Sequence, residues 1–134
     1  MSGLGSILES LPLRCCDLLM TVETENHELY GAEFEYAYAE LGTVIVNFYD
    51  GLVKFNWIDG PLAGESGSDF PYRVKQLSDD QFLANWHEPK ARGFVTLFID
   101  LAERRVYSSV LASYATPEEQ VWLHEATLKR SEGL

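Results

Sequence analysis

The stretch Phe82-Leu83-Ala84-Asn85-Trp86-His87-Glu88-Pro89 has the pattern of a β-strand that carries a carboxylate on its apolar face. Side chains alternate between the two faces of a strand. The more apolar face holds Phe82, Ala84, Trp86 and Glu88. Burial of an ionised carboxylate is costly unless it is paired, bound to metal or partly protonated. The pattern predicts that Glu88 is an inward carboxyl group with a raised pKa, and so a candidate general acid or base. The alternative is that Glu88 ends the strand at a solvated rim.

Similar short alternating segments follow one another from residue 29 to residue 113. Asp50-Gly51 lies between two apolar runs and is a typical tight-hairpin signal. A series of about seven strands with short connections predicts a mainly β fold, an antiparallel meander that closes into a barrel or a sandwich. The predicted strands span 29–40, 43–49, 53–58, 71–77, 81–88, 93–101 and 104–113, with a loop at 59–69.

A C-terminal helix is predicted at residues 116–130. Thr116 is suited to the N-cap, Pro117 to the first helical position and Glu119 to the third, which together form a capping box. A modest apolar stripe then follows at helical spacing: Val121, Trp122 and Leu128, with Glu125 on the same face. We expect this helix to plug one end of the barrel or to cover an exposed edge. A second short helix is predicted at 4–11 in an N-terminal extension of residues 1–28, within one domain of residues 1–134.

Composition narrows the classes of partner. The 21 acidic and 10 basic residues give a net charge of -11, which disfavours nucleic acid and anionic membranes because phosphate would be repelled. The adjacent Cys15 and Cys16 are poorly placed for an ordinary disulfide. Neither a signal peptide nor a spanning segment is evident, so the expected location is the cytoplasm. The three histidines lack zinc-site spacing, and no metal is predicted.

The predicted first strand supplies polar groups for the interior. Phe34, Tyr36 and Tyr38 share one face, while the other face carries two glutamates that belong in water. The two phenols are therefore expected to point inward, where a buried phenol normally finds a hydrogen-bond partner. Glu88 is the candidate partner if its strand lies across the same interior. Alternatively, both tyrosines are large core residues bonded to backbone groups.

These residues occur in an order that resembles phenolic acid decarboxylases and the related MoaF-like family. The resemblance spans about residues 29–111. Its motifs are Gly31 with Phe34-Glu35-Tyr36-Ala37-Tyr38, the Gly42 turn, Asn85-Trp86-His87-Glu88-Pro89 and Val95-Thr96-Leu97-Phe98-Ile99-Asp100.

The resemblance implies a lipocalin-like (calycin) β-barrel around a small-molecule pocket, with no cofactor and with a homodimer as the assembly. It places substrate-holding and proton-transfer roles on Tyr36, Tyr38 and Glu88. The side chains expected to contact the substrate are Phe34, Phe55, Trp57, Trp86, Thr96 and Phe98.

One departure bears on the substrate. The decarboxylases have an arginine in a glycine-containing loop, whereas the segment Pro61-Leu62-Ala63-Gly64-Glu65-Ser66 has none and carries Glu65. An acidic group there would repel a carboxylate substrate. Arg73 and Arg92 are the candidates to replace the missing arginine.

Two classes of function follow from the sequence. The first is a cofactor-independent lyase, isomerase or cyclase that performs acid–base chemistry on an apolar, aromatic or polyketide-like molecule inside the barrel. The second is a non-catalytic ligand-binding barrel of the lipocalin-like kind, in which the same tyrosines only orient the ligand. The fold does not decide between them.

Overall fold

The computed structural model describes residues 29–134, which form a closed antiparallel barrel of eight strands. Each strand pairs with its neighbours in the chain, and the first pairs with the last. The mainly β antiparallel barrel is therefore confirmed, and its eight-stranded closure fits a calycin-like fold. The strands are β1 Glu33–Tyr38, β2 Gly42–Tyr49, β3 Leu52–Trp57, β4 Ser66–Ser78, β5 Gln81–Glu88, β6 Gly93–Asp100, β7 Arg105–Ala112 and β8 Gln120–Glu132.

The predicted C-terminal helix at 116–130 is wrong, because most of that segment is strand β8. This strand pairs with β7 on one side and with β1 on the other, and so it closes the barrel. Its inward side chains alternate: Ala126 and Leu128 are each 2% exposed, whereas Leu123 is 79% exposed. A period of two, rather than 3.6, therefore describes the burial of this segment.

The residues that suggested a helix start form a turn before β8. The Thr116 backbone oxygen accepts from Glu119 N at 3.1 Å, and Thr116 Oγ1 accepts from Glu118 N, also at 3.1 Å. The carboxylate of Glu119 accepts from Ala115 N at 2.7 Å. Capping groups satisfy free backbone N–H groups at a turn as well as at a helix end. The chain then enters β8 instead of continuing as a helix.

The tight hairpin at Asp50-Gly51 is confirmed. Tyr49 of β2 pairs with Leu52 of β3, which leaves only the two turn residues between the strands. Both have positive φ, 49° for Asp50 and 78° for Gly51, as a type I′ turn requires. This connection fixes the register between β2 and β3, which places Val53 and Phe55 on the inner face.

The two ends of the barrel differ in packing. Because neighbouring strands run in opposite directions, the starts of β1, β3, β5 and β7 lie at the same end. At that end Phe34 packs edge-on against Phe48, with ring centroids 6.0 Å apart, and Phe48 also contacts Tyr72 at 4.8 Å. The fully buried side chains that fill this end include Leu29, Phe34, Phe48, Val53, Ile99 and Val106. The opposite end is left for a cavity.

The predicted helix at 4–11 and the extension at 1–28 lie outside the described residues. Within residues 29–134, no helix is long and apolar enough to span a membrane. In the same part of the chain, no group of three His, Cys, Asp or Glu side chains is placed to hold a metal ion.

Candidate functional site

A cavity of about 270 Å³ occupies the barrel interior above the aromatic floor formed by Phe34 and Phe48. Its walls are mostly aromatic and aliphatic, with a few polar groups, as is usual for small-molecule sites. It opens toward the end of the barrel where β1, β3 and β5 finish. Its polar and aromatic lining residues include Tyr36, Tyr38, Trp57, Glu65, Trp86, Glu88, Ser108, Trp122 and His124.

Glu88 lies at the end of β5 with its carboxylate in the cavity lining. On the same face of β5, Phe82 and Trp86 are buried, so the alternation predicted from the sequence is confirmed. The indole Nε1–H of Trp86 donates to Glu88 Oε2 at 2.7 Å. Burial raises the pKa of Glu88, and the Trp86 hydrogen bond offsets part of that rise. Glu88 is thus a partly buried carboxyl group with one fixed donor.

Three hydroxyl groups form a chain on the β1 and β7 walls. The Tyr36 phenol bonds to the Tyr38 phenol, and Tyr38 Oη–H donates to Ser108 Oγ at 2.8 Å. All three residues are buried, as predicted for the two tyrosines. Burial raises the pKa of Tyr38 and raises that of Tyr36 well above its usual value, so both phenols stay neutral donors. Ser108 keeps its own hydroxyl hydrogen for a ligand or a carbonyl.

The carboxyl group and the hydroxyl chain lie on different strands of the cavity wall, with Glu88 on β5, the two tyrosines on β1 and Ser108 on β7. In a ring of eight strands, β5 is four strands from β1 in either direction. Glu88 ends β5 and Tyr38 ends β1, so both lie toward the open end. The expected direct bond between Glu88 and the phenols is replaced by separate partners, Trp86 for Glu88 and Ser108 for Tyr38. A ligand in the cavity would lie beside both groups.

The structure separates the predicted contact residues into three groups. Phe55, Trp57 and Trp86 line the cavity. Phe34 lies below it, in the floor.

Thr96 and Phe98 lie on the outer face, because their inward neighbours on β6 are Val95 and Leu97. The Phe98 ring packs at 6.0 Å against Tyr107, a side chain that is 41% exposed. Neither Thr96 nor Phe98 lines the cavity.

Two polar residues that were not predicted from the sequence as site residues also line the cavity. Ser108 on β7 is directly opposite His124 on β8. The His124 ring packs edge-on against Tyr38, with centroids 5.9 Å apart, and its Nδ1 lies 3.8 Å from Glu40 Oε1. The available signal was the alternation of Trp122, His124, Ala126 and Leu128, which becomes visible once this segment is taken as a strand.

The cavity is lined by two acidic side chains. Glu65 lines it at the mouth, as its place in the 61–66 segment indicated, and Glu88 lines it inside. Arg73 alternates with the buried Tyr72 and Val74 on β4 and therefore points outward. Arg92 is exposed, with its guanidinium 5.9 Å from the Tyr114 ring centroid. Among residues 29–134, no arginine or lysine lines this cavity.

This arrangement gives the polar groups different roles. The neutral hydroxyl chain can donate a hydrogen bond through its Ser108 end to an oxygen that gains negative charge, because the Tyr38 hydroxyl already donates to Ser108. Glu88, with a raised pKa, is suited to accept or donate a proton. The apolar walls exclude water, which strengthens both interactions. Tyr36, Tyr38 and Glu88 therefore share one lumen with the properties that acid–base chemistry requires.

Comparison with known proteins supports the fold alone. No family model matches the chain, and no curated protein matches it. Among solved structures, the chain is similar to one from Burkholderia vietnamiensis described as a "putative beta-lactamase". The two are 20% identical, and the similarity covers 76% of this chain and 94% of that one, with a TM-score of 0.64. At this identity the likeness shows a shared barrel architecture.

Proposed function

We propose that the protein is a cofactor-independent enzyme that performs acid–base chemistry on an apolar small molecule inside the barrel. Glu88 transfers the proton, and the chain from Tyr36 through Tyr38 to Ser108 stabilises negative charge that develops on the ligand. The observation that carries this proposal is that a carboxyl group of raised pKa and a chain of neutral hydroxyl groups line the same apolar cavity. Lyase, isomerase and cyclase reactions all use these elements.

Environment separates the acid–base roles in this site. Burial raises the pKa of both phenols, which removes them as bases at neutral pH, and it brings the pKa of Glu88 closer to neutrality. Groups whose environments move their pKa values in such ways are typical of catalytic sites. Trp86 holds the carboxylate by one oxygen at 2.7 Å, which leaves the other oxygen available to a substrate proton.

The substrate is not expected to be a phenolic carboxylic acid. Glu65 and Glu88 both line the cavity, and the two candidate arginines point elsewhere. A carboxylate would meet like charge without a basic partner. We therefore do not extend the decarboxylase reaction to this protein, although the resemblance supplies the roles of Tyr36, Tyr38 and Glu88. A cytoplasmic location stays a prediction from the sequence, and a homodimer stays a prediction from the resemblance.

A generic proton-transfer probe tests the proposal without knowledge of the natural substrate. In 5-nitrobenzisoxazole a base removes the proton on ring carbon 3, the N–O bond breaks, and a coloured cyanophenolate forms. Glu88 would take the proton, and the hydroxyl chain would bind the phenolate oxygen. We expect wild type to accelerate this elimination and Glu88→Gln to lower kcat/KM by roughly a hundredfold, the usual size of general-base catalysis. Tyr38→Phe should lower kcat more than it raises KM.

Glu118→Gln is the matched control, because it removes one negative charge from an exposed turn between β7 and β8. Its rate should equal that of wild type. If wild type binds the probe but turns it over no faster than free carboxylate in solution, the enzyme proposal fails and the ligand-binding alternative replaces it. Equal rates for wild type and Glu88→Gln would also contradict the role of Glu88.

A further inference from the structure

Glu65 places a negative charge at the mouth of the cavity, beside aromatic rings. We propose that the ligand is an apolar molecule bearing a protonated amine, which binds at the rim formed by Glu65 and Trp57. This inference rests on the proposed small-molecule site and names its ligand class. Its supports are the aromatic lining, the position of Glu65 and the distribution of basic groups.

Aromatic side chains form much of the wall near the mouth. Trp57 lies against Tyr38 with ring centroids 5.8 Å apart and planes tilted by 30°. Phe55, Trp86 and Trp122 also line the cavity. Aromatic faces attract ammonium groups through the ring quadrupole, and this attraction is strongest for Trp. Such walls accommodate the apolar body and the charged head of an amine together.

Glu65 is held next to Trp57 by backbone pairing. Trp57 N–H donates to the Glu65 carbonyl oxygen at 2.9 Å, and Gly64 N–H donates to the Trp57 carbonyl oxygen at 3.0 Å. Gly64 adopts a positive φ of 94°, which turns the β3–β4 loop back onto the barrel. Glu65 thereby lies in the cavity lining while remaining exposed to solvent. This carboxylate is the natural partner for an ammonium group entering the mouth.

The basic groups near the cavity leave this charge available to a ligand. Among the described lining residues, His124 is the one basic side chain, and its Nδ1 lies 3.8 Å from Glu40. Arg73 points outward and Arg92 packs on Tyr114. An ammonium ligand would offset one of the two negative charges of Glu65 and Glu88, whereas a carboxylate would add a third negative charge.

Three ligands with the same phenyl body test the inference: 2-phenylethylammonium, 2-phenylethanol and 3-phenylpropanoate. All three tryptophans of the chain line the cavity, so quenching of intrinsic fluorescence reports on occupancy. At pH 7 and low salt we expect the ammonium to bind at least about threefold more tightly than the alcohol, as an exposed ion pair with an aromatic contact allows. The carboxylate should bind most weakly.

Glu65→Gln should remove most of the preference for ammonium over alcohol, and Glu118→Gln, with the same change in net charge, should retain it. High salt should also reduce the preference, because Glu65 is exposed. Equal affinity for the ammonium and the alcohol in wild type, or an unchanged preference in Glu65→Gln, would overturn the inference. The neutral elimination probe separates the two proposals: turnover without ammonium preference refutes only this inference, and preference without turnover refutes only the enzyme.

Discussion

The closing strand β8 gives a sharp test of the fold, because a helix and a strand bury different side chains of the same segment. Val121 and Leu128 are seven residues apart, so in a helix they lie on the same face, two turns apart. In β8 they lie on opposite faces, with Val121 68% exposed and Leu128 2% exposed. Leu128 also pairs with Tyr36 across the seam between β8 and β1.

The expected costs follow from this difference in burial. Leu128→Ala removes a fully packed side chain, and such truncations cost about 2–5 kcal/mol in the free energy of unfolding. Val121→Ala removes two exposed methyl groups and should cost less than about 1 kcal/mol, mainly as lost strand preference. Cavity binding of the phenyl ligands should persist in Val121→Ala.

Urea unfolding followed by tryptophan fluorescence measures both free energies, with similar m-values as the check that the two-state treatment applies. A difference of at least about 1 kcal/mol between the two variants supports the strand, given the ranges above. Equal costs would refute the reasoning, because they would show that Val121 and Leu128 share one buried face.

Three further predictions concern the site. Tyr38→Phe should lower the free energy of unfolding by about 1–3 kcal/mol, because it breaks the hydroxyl chain. A double-mutant cycle with Ser108→Ala, measured by urea unfolding, should show non-additive costs. Additive costs would contradict the hydrogen bond between Tyr38 and Ser108. Glu88→Gln should stabilise the protein at neutral pH. The folded-state pKa of Glu88 is raised above the unfolded value near 4.5. The contribution of Glu88 to the free energy of unfolding is therefore fully present below the unfolded pKa and is lost as the pH rises through the folded pKa. Thermal melts should therefore show a gap between Glu88→Gln and wild type that widens with pH, and a constant gap would argue against burial. Phe98→Ala should leave binding of 2-phenylethanol unchanged, as fluorescence titration would show, whereas Trp57→Ala should weaken it; a loss in Phe98→Ala would contradict the outward position of that ring.

Local patterns predicted the features that depend on neighbouring residues. The alternation through Phe82 and Trp86 placed Glu88 inside the barrel, and the same reasoning placed Tyr36 and Tyr38. These predictions succeeded because strand parity is a property of the backbone, independent of which strands pair.

The state of residues 116–130, which depends on distant pairing, was not predicted correctly. The segment from Thr116 to Leu128 contains valid capping groups, yet its strand state is set by pairing with β7 and β1, which are remote in sequence. Because that segment was predicted to be a helix, the contact of His124 with Tyr38 was not predicted. Both faces of strand β6 carry large apolar side chains, so its sequence did not show that Phe98 points outward.

The proposed acid–base chemistry depends most directly on the protonation of Glu88 inside the cavity. An NMR titration of the Glu88 carboxyl carbon, assigned by its loss in Glu88→Gln, measures that property in the intact protein. We predict a midpoint above the usual value of 4.5, with a further rise in Trp86→Phe, because the indole N–H stabilises the charged form. A midpoint at or below 4.5 in wild type would contradict the account, since it would show a solvated rim carboxylate.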